Sequence, residues 1–297
     1  MAVAEESSAA TVKEIEGMSV LSTEDRTFWE ENGYVVIPNA VPPDQVRAAE
    51  QKVWDFLGMG PEHPESWYPN PPRASIMVEM YQDQTLWNNR QYPRVYRAFA
   101  EIFGTKKLWV SIDRASMNPP ERDDWKYSGK FHWDTSLDLP IEFWVQGVLY
   151  LTDTAPNQGA FSCVPGFHRK IKAWLKDLPP DADPRQQDIE SLGVRSIPGR
   201  AGDLIIWHSA LPHGSSPNTA DLPRVAQYIT MYPAQEEDEE ARDHRIEAWR
   251  DRLAGLVIEV TGKRWELRKE KEHELGLTAK LSPLGRTLLG LDLWEDN

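Results

Sequence analysis

The chain has 297 residues, 40% of them hydrophobic and 27% charged, and a formal net charge of -14. It is long enough to bury a sizeable core, and its acidic balance speaks against nucleic acid or an anionic membrane as partner, since both call for a basic surface. A single cysteine, Cys163, excludes an internal disulfide and fits a reducing compartment.

No apolar stretch reaches the length of a membrane span, and the acidic N-terminus lacks the apolar core of a secretory signal, so the cytoplasm is the expected location. Residues 1–22, polar and aperiodic, are expected to form a disordered tail. Ser22-Thr23-Glu24-Asp25 carries N-cap chemistry and predicts a helix that Gly33 stops, followed by a short strand over Tyr34–Pro38. Pro42-Pro43-Asp44-Gln45 opens a second helix, with Val46, Ala49, Val53 and Leu57 at helical spacing up to Gly58. Met59–Arg73, rich in proline and aromatic residues, predicts a long ordered loop, and Tyr92–Phe103 a further helix. Short β-rich runs then follow at Leu108–Ile112, Phe143–Leu151, Ala160–Val164, Val194–Ile197, Asp203–Trp207 and Val225–Tyr232, separated by Gly, Pro and Asn. That is the pattern of an antiparallel sandwich or barrel. After Pro233 an acidic run opens a helix carrying Ile246, Trp249, Leu253 and Leu256, and a leucine-rich segment, Leu281–Trp294, follows. Three parts are expected: the tail, a β domain over residues 23–235 with its N-terminal helices, and a C-terminal part over 236–297, a helix and a leucine-rich tail.

The chemistry concentrates in His132-Trp133-Asp134, His213 and Arg224. On a strand, alternate residues point the same way, so His132 and Asp134 would face one side and Trp133 the other. Two imidazoles and one carboxylate form the ligand set of a non-haem Fe(II) centre that leaves one face of the metal open. Arg224, a short loop beyond His213, stands where such a site would grip the far carboxylate of 2-oxoglutarate, since a guanidinium fork binds a carboxylate bidentately and stays charged. His208 competes with His213 as third ligand. The Gly214-Ser215-Ser216-Pro217-Asn218 run and the spacing to Arg224 favour His213, with His208 then a wall residue. Arg114 offers either a second polar contact to the cosubstrate or a structural ion pair. Gln146 offers a pocket amide or, as the better choice, a structural hydrogen bond.

Together, the HxD pair, the turn PGRAGD, the block LPHGSSPNTADLPR and the tail LSPLGRTLLGLDLW resemble the phytanoyl-CoA dioxygenase (PhyH-like) family over roughly residues 25–235. The resemblance implies a mainly β fold with supporting helices, a double-stranded β-helix or jelly roll with iron at its open end. It implies His132, Asp134 and His213 as iron ligands, Arg224 as the partner of the 2-oxoglutarate 5-carboxylate, and Ser215 as a hydroxyl that helps hold that carboxylate. The implied activity is oxidation of a small molecule by O2 with 2-oxoglutarate converted to succinate and CO2, ascorbate being a supporting reductant. Related halogenases replace the carboxylate ligand by a small residue; Asp134 therefore favours hydroxylation or a related oxidation.

The family name suggests an acyl-CoA substrate, but fold relatives carry many substrates. CoA phosphates need a basic cradle, and only Arg122, Lys126 and Lys130 stand near the motif. Their segment is either a lid over the metal or an ordinary surface loop. Trp67, Tyr68, Trp125 and Trp144 are candidates for an aromatic wall or for simple packing. A medium-sized, partly apolar molecule is the expected substrate. Two rival readings are a cupin-type metal enzyme that does not use 2-oxoglutarate and a non-catalytic binding protein on the same fold. The apolar side chains of Leu284, Leu288, Leu289, Leu291, Leu293 and Trp294 must cover something, the chain's own barrel in a monomer or the partner in a homodimer.

Overall fold

The computed structural model describes residues 19–127, 129–254 and 267–295. Helix α1 (Thr23–Asn32) begins at Ser22, whose side chain accepts from the Asp25 amide while the Asp25 carboxylate accepts from the Ser22 amide, and ends at Gly33 with φ 74°. The left-handed turn at Gly33 delivers the chain into β1 (Tyr34–Ile37), in which Val35 and Ile37 are buried. The preceding Ser19–Leu21, part of the expected tail, are held: Glu101 accepts from the amides of Val20 and Leu21 at 2.7 and 3.1 Å. The remainder of that tail, 1–18, lies outside the described residues.

Six strands form the larger sheet, in the order β1, β8 (Leu204–His208), β5 (Val145–Tyr150), β10 (Arg224–Tyr228), β4 (Ala115–Asn118) and β2 (Met77–Val78), every neighbouring pair antiparallel. The period-2 geometry of β8 divides the interior in two. Leu204 and Ile206 pack with Val46, Val53 and Trp54 of α2 (Pro43–Leu57) and Phe99 of the helix Pro93–Phe103. Ile205 and Trp207 face the other way, onto Phe161 and Cys163 of the smaller sheet. That sheet has β6 (Phe161–Cys163) between β7 (Arg195–Ser196) and β9 (His213–Ser215). The central strands read as apolar runs because both their faces are covered. The result is a double-stranded β-helix of two facing antiparallel sheets that do not close, with helices on the outer face of the larger one. Gly147 in β5 is required by close approach, since a Cβ there would lie 2.5 Å from the Ile229 carbonyl oxygen and 2.9 Å from the Phe99 ring.

Several boundaries differ from expectation. The run Val225–Tyr232 is two strands, β10 and β11 (Met231–Pro233), the latter pairing with β3 (Leu108–Val110) in a separate ribbon. Strands β2 and β4 and the helix α3 (Gln84–Arg90) carry no clear periodicity, and their local signal loses to tertiary burial. The acidic helix, Glu239–Arg250, ends before Leu253, which is buried beyond it, while Leu256 lies outside the described residues.

The C-terminal segment packs on this chain. Leu288 and Leu289 of the helix Pro283–Leu289 are fully buried, and Trp294 stacks on Tyr96 and donates to the Leu108 carbonyl at 3.0 Å. A buried guanidinium, Arg245, ties the pieces together. It donates to the carbonyls of Leu289, Leu288 and Val110 at 3.0, 2.9 and 2.6 Å, and to the Tyr232 hydroxyl at 2.7 Å. Glu272 makes a second tie, accepting from the successive amides of Tyr81, Gln82 and Asp83.

Arg245→Met keeps the stem but leaves those carbonyls without donors, so a loss on the order of 2–4 kcal/mol is expected. Urea unfolding checks this, and an unchanged midpoint would show that the C-terminal segment docks without the guanidinium.

Candidate metal centre

His132 and His213 come together through backbone pairing. Each amide donates to the other's carbonyl at 3.0 Å, an antiparallel hydrogen-bonded pair that extends the smaller sheet by one residue beyond β9. Residues directly opposite in such a pair project to the same face, and the two rings lie 4.7 Å apart between centroids.

The strand expected for the HxD motif is absent: His132 forms a lone bridge and Asp134 lies in a bend. The alternation survives for another reason. Trp133 turns inward, donating from Nε1 to the Ala210 carbonyl at 3.0 Å and packing on Phe167 and Trp174. Arg185 then clamps the main chain on either side, donating to the carbonyls of Trp133 and Thr135, both at 2.6 Å. A side chain here does the work of a missing ladder.

The ligand atoms of His132, Asp134 and His213 all lie within 4.8 Å of one another. His132 Nε2 is 3.5 Å from Asp134 Oδ1 and His213 Nε2 is 3.3 Å from Oδ2, so each imidazole faces its own carboxylate oxygen. Separations of about 3 Å are those of neighbours in one coordination sphere with bonds near 2.1 Å. Both outer nitrogens are engaged: His132 Nδ1 lies 2.9 Å from the Lys130 carbonyl oxygen and His213 Nδ1 lies 3.1 Å from that of Leu211. Carbonyls only accept, so they place the ring protons on Nδ1 and leave the Nε2 lone pairs to the centre.

Burial raises the Asp134 carboxyl, but the hydrogen bonds and charges of His132 and His213 outweigh it and hold the group far below the ordinary carboxylate range. His132 moves up from its ordinary value, chiefly through its hydrogen bond to Asp134 and against the opposing pull of burial. The carboxylate is thus ionised at neutral pH, as a hard metal ligand must be.

Gln146, on β5, donates from Nε2 to Asp134 Oδ2 at 2.8 Å, and its Oε1 accepts from Trp207 Nε1 at 3.2 Å. An indole nitrogen only donates, so Trp207 fixes which end of the amide faces the carboxylate. The register that sets Gln146 opposite Trp207 on β8 provides this arrangement. Both expectations for Gln146 are met by one side chain, since it also lines the cavity.

A cavity of about 860 Å³ opens from the centre. Arg224 and Ser215 line it, and Arg224 is 1% exposed. Its guanidinium lies 3.3 Å from Ser116 Oγ, its Nε has no partner, and no carboxylate among the described residues pairs with it. Arg114 also lines the cavity, but its guanidinium is joined to Glu79 at 2.7 Å. His208 is not on the wall. It packs among Trp29, Phe143 and His168, accepts the Ala210 amide at Nδ1, and is pushed down to about 4 by burial, with His168 adding to the shift.

Of the aromatic candidates, Trp144 lines the cavity, while Trp67 is packed away with its indole on the Gly60 carbonyl. Tyr68 and Trp125 meet edge to face, and Tyr68 OH donates to the Pro120 carbonyl at 2.8 Å, so the segment expected as lid or loop is pinned there. None of Arg122, Lys126 and Lys130 lines the cavity, whereas Tyr127, Phe161, Arg185, Tyr228 and Asp113 do. Arg185 sits in Asp183-Pro184-Arg185, which carries no motif signal, and the others sit in unremarkable strand or loop text.

Two facing antiparallel sheets that bring two imidazoles and one carboxylate together present the ligand set of the non-haem Fe(II) oxygenases. Residues 29–226 match the family model described as phytanoyl-CoA dioxygenase (PhyH), and the chain belongs to that family. A Dictyostelium discoideum protein provisionally named phytanoyl-CoA dioxygenase is 24% identical over 277 residues, spanning 73% of this chain and 77% of its own. Ava biosynthesis cluster protein O of Aspergillus versicolor is 25% identical over 236 residues, spanning 70% and 77%. The fold is shared with the epimerase SnoN, solved in complex with Fe3+, alpha ketoglutarate and nogalamycin RO, at a TM-score of 0.53 and 18% identity over 71% of this chain and 83% of that one.

Gln146→Leu removes the donor that orients Asp134 while keeping similar volume. Metal affinity is expected to fall about tenfold to a hundredfold with the fold retained. Anaerobic titration with Fe(II) or Mn(II) measures this, and wild-type affinity would show that the carboxylate needs no such support.

Proposed function

We propose that the protein uses Fe(II), 2-oxoglutarate and O2 to hydroxylate, or otherwise oxidise, an unactivated C–H bond of a small molecule, with His132, Asp134 and His213 as the iron ligands. The observation that carries this reading is Arg224: a buried guanidinium, its Nε unpartnered, on the wall of the same cavity as the three ligands. An uncompensated buried cation is costly unless an anion joins it. The dianionic cosubstrate supplies that anion. With Fe(II) and Arg224 carrying three positive charges, and Asp134 and the cosubstrate three negative ones, the assembly is formally neutral. Ser215 adds a hydroxyl on the same wall.

Held by His132, Asp134 and His213, the iron would with the 2-oxo acid supply the oxidising power, the loss of CO2 and formation of succinate being coupled to the reduction of O2. The protein's own tasks are geometric. His132, Asp134 and His213 leave one side of the centre free. Gln146 keeps the carboxylate turned to both imidazoles. Phe161, Trp207, Trp144 and Val148 give the cavity apolar walls that exclude water and hold a C–H bond in place. Asp134 fills the position that a halide would need, which favours hydroxylation over halogenation. Neither a cupin-type enzyme without 2-oxoglutarate nor a non-catalytic binding protein gives Arg224 a task.

Anaerobic Fe(II) with 2-oxoglutarate should give a weak visible charge-transfer band, and O2 should then release succinate. Arg224→Ala should weaken 2-oxoglutarate binding by on the order of 2–5 kcal/mol, with Arg224→Lys recovering part. Without cosubstrate the alanine variant should melt no lower than the wild type, because it loses a poorly compensated buried charge. Unchanged 2-oxoglutarate affinity in Arg224→Ala would sink the cosubstrate assignment.

A further inference from the structure

Most of the charged groups on the cavity wall are already engaged. His132, Asp134 and His213 face one another, Arg185 is held by two main-chain carbonyls, and Arg114 is paired with Glu79. Arg224 has the role given above. The remaining charged side chain is Asp113.

Asp113 lies in the short connection between β3 and β4, and its main chain is held by hydrogen bonds. The fully buried Arg90 donates to the Asp113 carbonyl and, at 2.7 Å, to that of Tyr81. The Ser111 hydroxyl accepts from the Thr230 amide at 3.2 Å. The Asp113 carboxylate is less well provided for. Oδ1 accepts from the Arg114 amide at 2.7 Å, and Arg114 Nε stands 3.8 Å from that oxygen, outside hydrogen-bond range. Among the described residues no donor reaches Oδ2, and the side chain keeps 30% of its surface accessible on a residue that lines the cavity. Burial pushes its carboxyl above the ordinary aspartate range; the Arg114 amide and the charges of Arg114 and Arg90 pull it back, and the charge of Asp134 pushes it up again. The Asp113 side chain is therefore held by one amide, open in part to the cavity, and without a hydrogen-bonded cation of its own.

We infer that Asp113 is the substrate-recognition residue of this site, and that the substrate is a small molecule bearing a cationic nitrogen beside an apolar body. The inference rests on the iron and 2-oxoglutarate reading above, since it assigns Arg224 to the cosubstrate and leaves Asp113 for the substrate. A charge-assisted hydrogen bond to a partly buried carboxylate is stronger than a neutral one, so an ammonium donor gains more here than a hydroxyl. Ser111 and Thr230 supply polar neighbours to that end of the cavity, and Met77, Trp144, Val148, Phe161 and Trp207 line it with apolar surface. A polyanion such as an acyl-CoA meets the opposite situation: Asp113 repels it, and the basic residues near the motif do not line the cavity.

Three fragments of similar size test this: phenethylamine, 2-phenylethanol and 3-phenylpropionate. Each is titrated calorimetrically into the full chain loaded with Zn(II) in place of iron and with 2-oxoglutarate. The amine should bind about tenfold or more tightly than the other two, the difference expected of one hydrogen bond to a charged group. Asp113→Asn should abolish the preference, and Asp113→Glu, which keeps the charge, should retain it in part. Equal or tighter binding of the alcohol or the carboxylate, or an amine preference that survives in Asp113→Asn, overturns the inference. The anaerobic Fe(II) and 2-oxoglutarate band is recorded on the same proteins. A band without amine preference removes the role of Asp113 alone. Amine preference without a band removes the cosubstrate reading and leaves Asp113 as a site for a cationic ligand.

Discussion

Two backbone hydrogen bonds between His132 and His213 give a β sandwich a cluster of side chains that could hold a metal ion. The residues are far apart in the chain, and each lies where regular structure is thin, one in a loop and the other on a three-residue strand. Reciprocal pairing fixes their separation and the common face of their side chains at once. Everything near the centre then serves to hold that alignment. Lys130 and Leu211 set the ring tautomers, Arg185 holds the main chain around Trp133, and the Trp207–Gln146 link turns Asp134 toward both rings. Such supports matter because an error of a fraction of an ångström in a ligand set is felt directly in affinity.

The charges on the cavity wall are matched to different degrees. Around the centre, carboxylate and imidazoles stabilise one another, and the deep guanidinium of Arg224 lacks an internal counterion. The connection between β3 and β4 is the reverse, with the anion of Asp113 incompletely matched because Arg114 is drawn toward Glu79. A protein interior tolerates such mismatches poorly unless a ligand corrects them. Arg224, with no carboxylate partner among the described residues, and Asp113, with Arg114 only at 3.8 Å, are the two places on the wall where the proposals above seat a ligand.

Much of the fold was legible in the amino-acid text because its signals are local. The Ser22 cap, the Gly33 stop and the apolar run of β8 each follow from chemistry within a few residues. That His132, Asp134 and His213 cluster and that Arg224 lies on the same cavity wall agrees with motif and resemblance, although the reason first given for the HxD geometry, a strand, does not hold. What stayed hidden depends on distant partners. Arg185 looks like any solvated arginine until its carbonyl acceptors are known. Gln146 gains meaning only from Trp207 across the sheet. Asp113 is an ordinary loop aspartate until the departure of Arg114 to Glu79 is seen. Strand β4 reads as nothing in particular because its burial is imposed by its neighbours β10 and β2.

The Glu272 tie has a reach beyond anchoring a terminus. It grips the amides of Tyr81 to Asp83; the Tyr81 carbonyl is held by Arg90, and Arg90 also holds the carbonyl of Asp113. The cavity wall at Asp113 is therefore braced by Glu272, far along the polypeptide, while His132, Asp134 and His213 are braced from the middle of it. Substitutions in the C-terminal segment are expected to reach the Asp113 side of the cavity before they reach His132, Asp134 and His213.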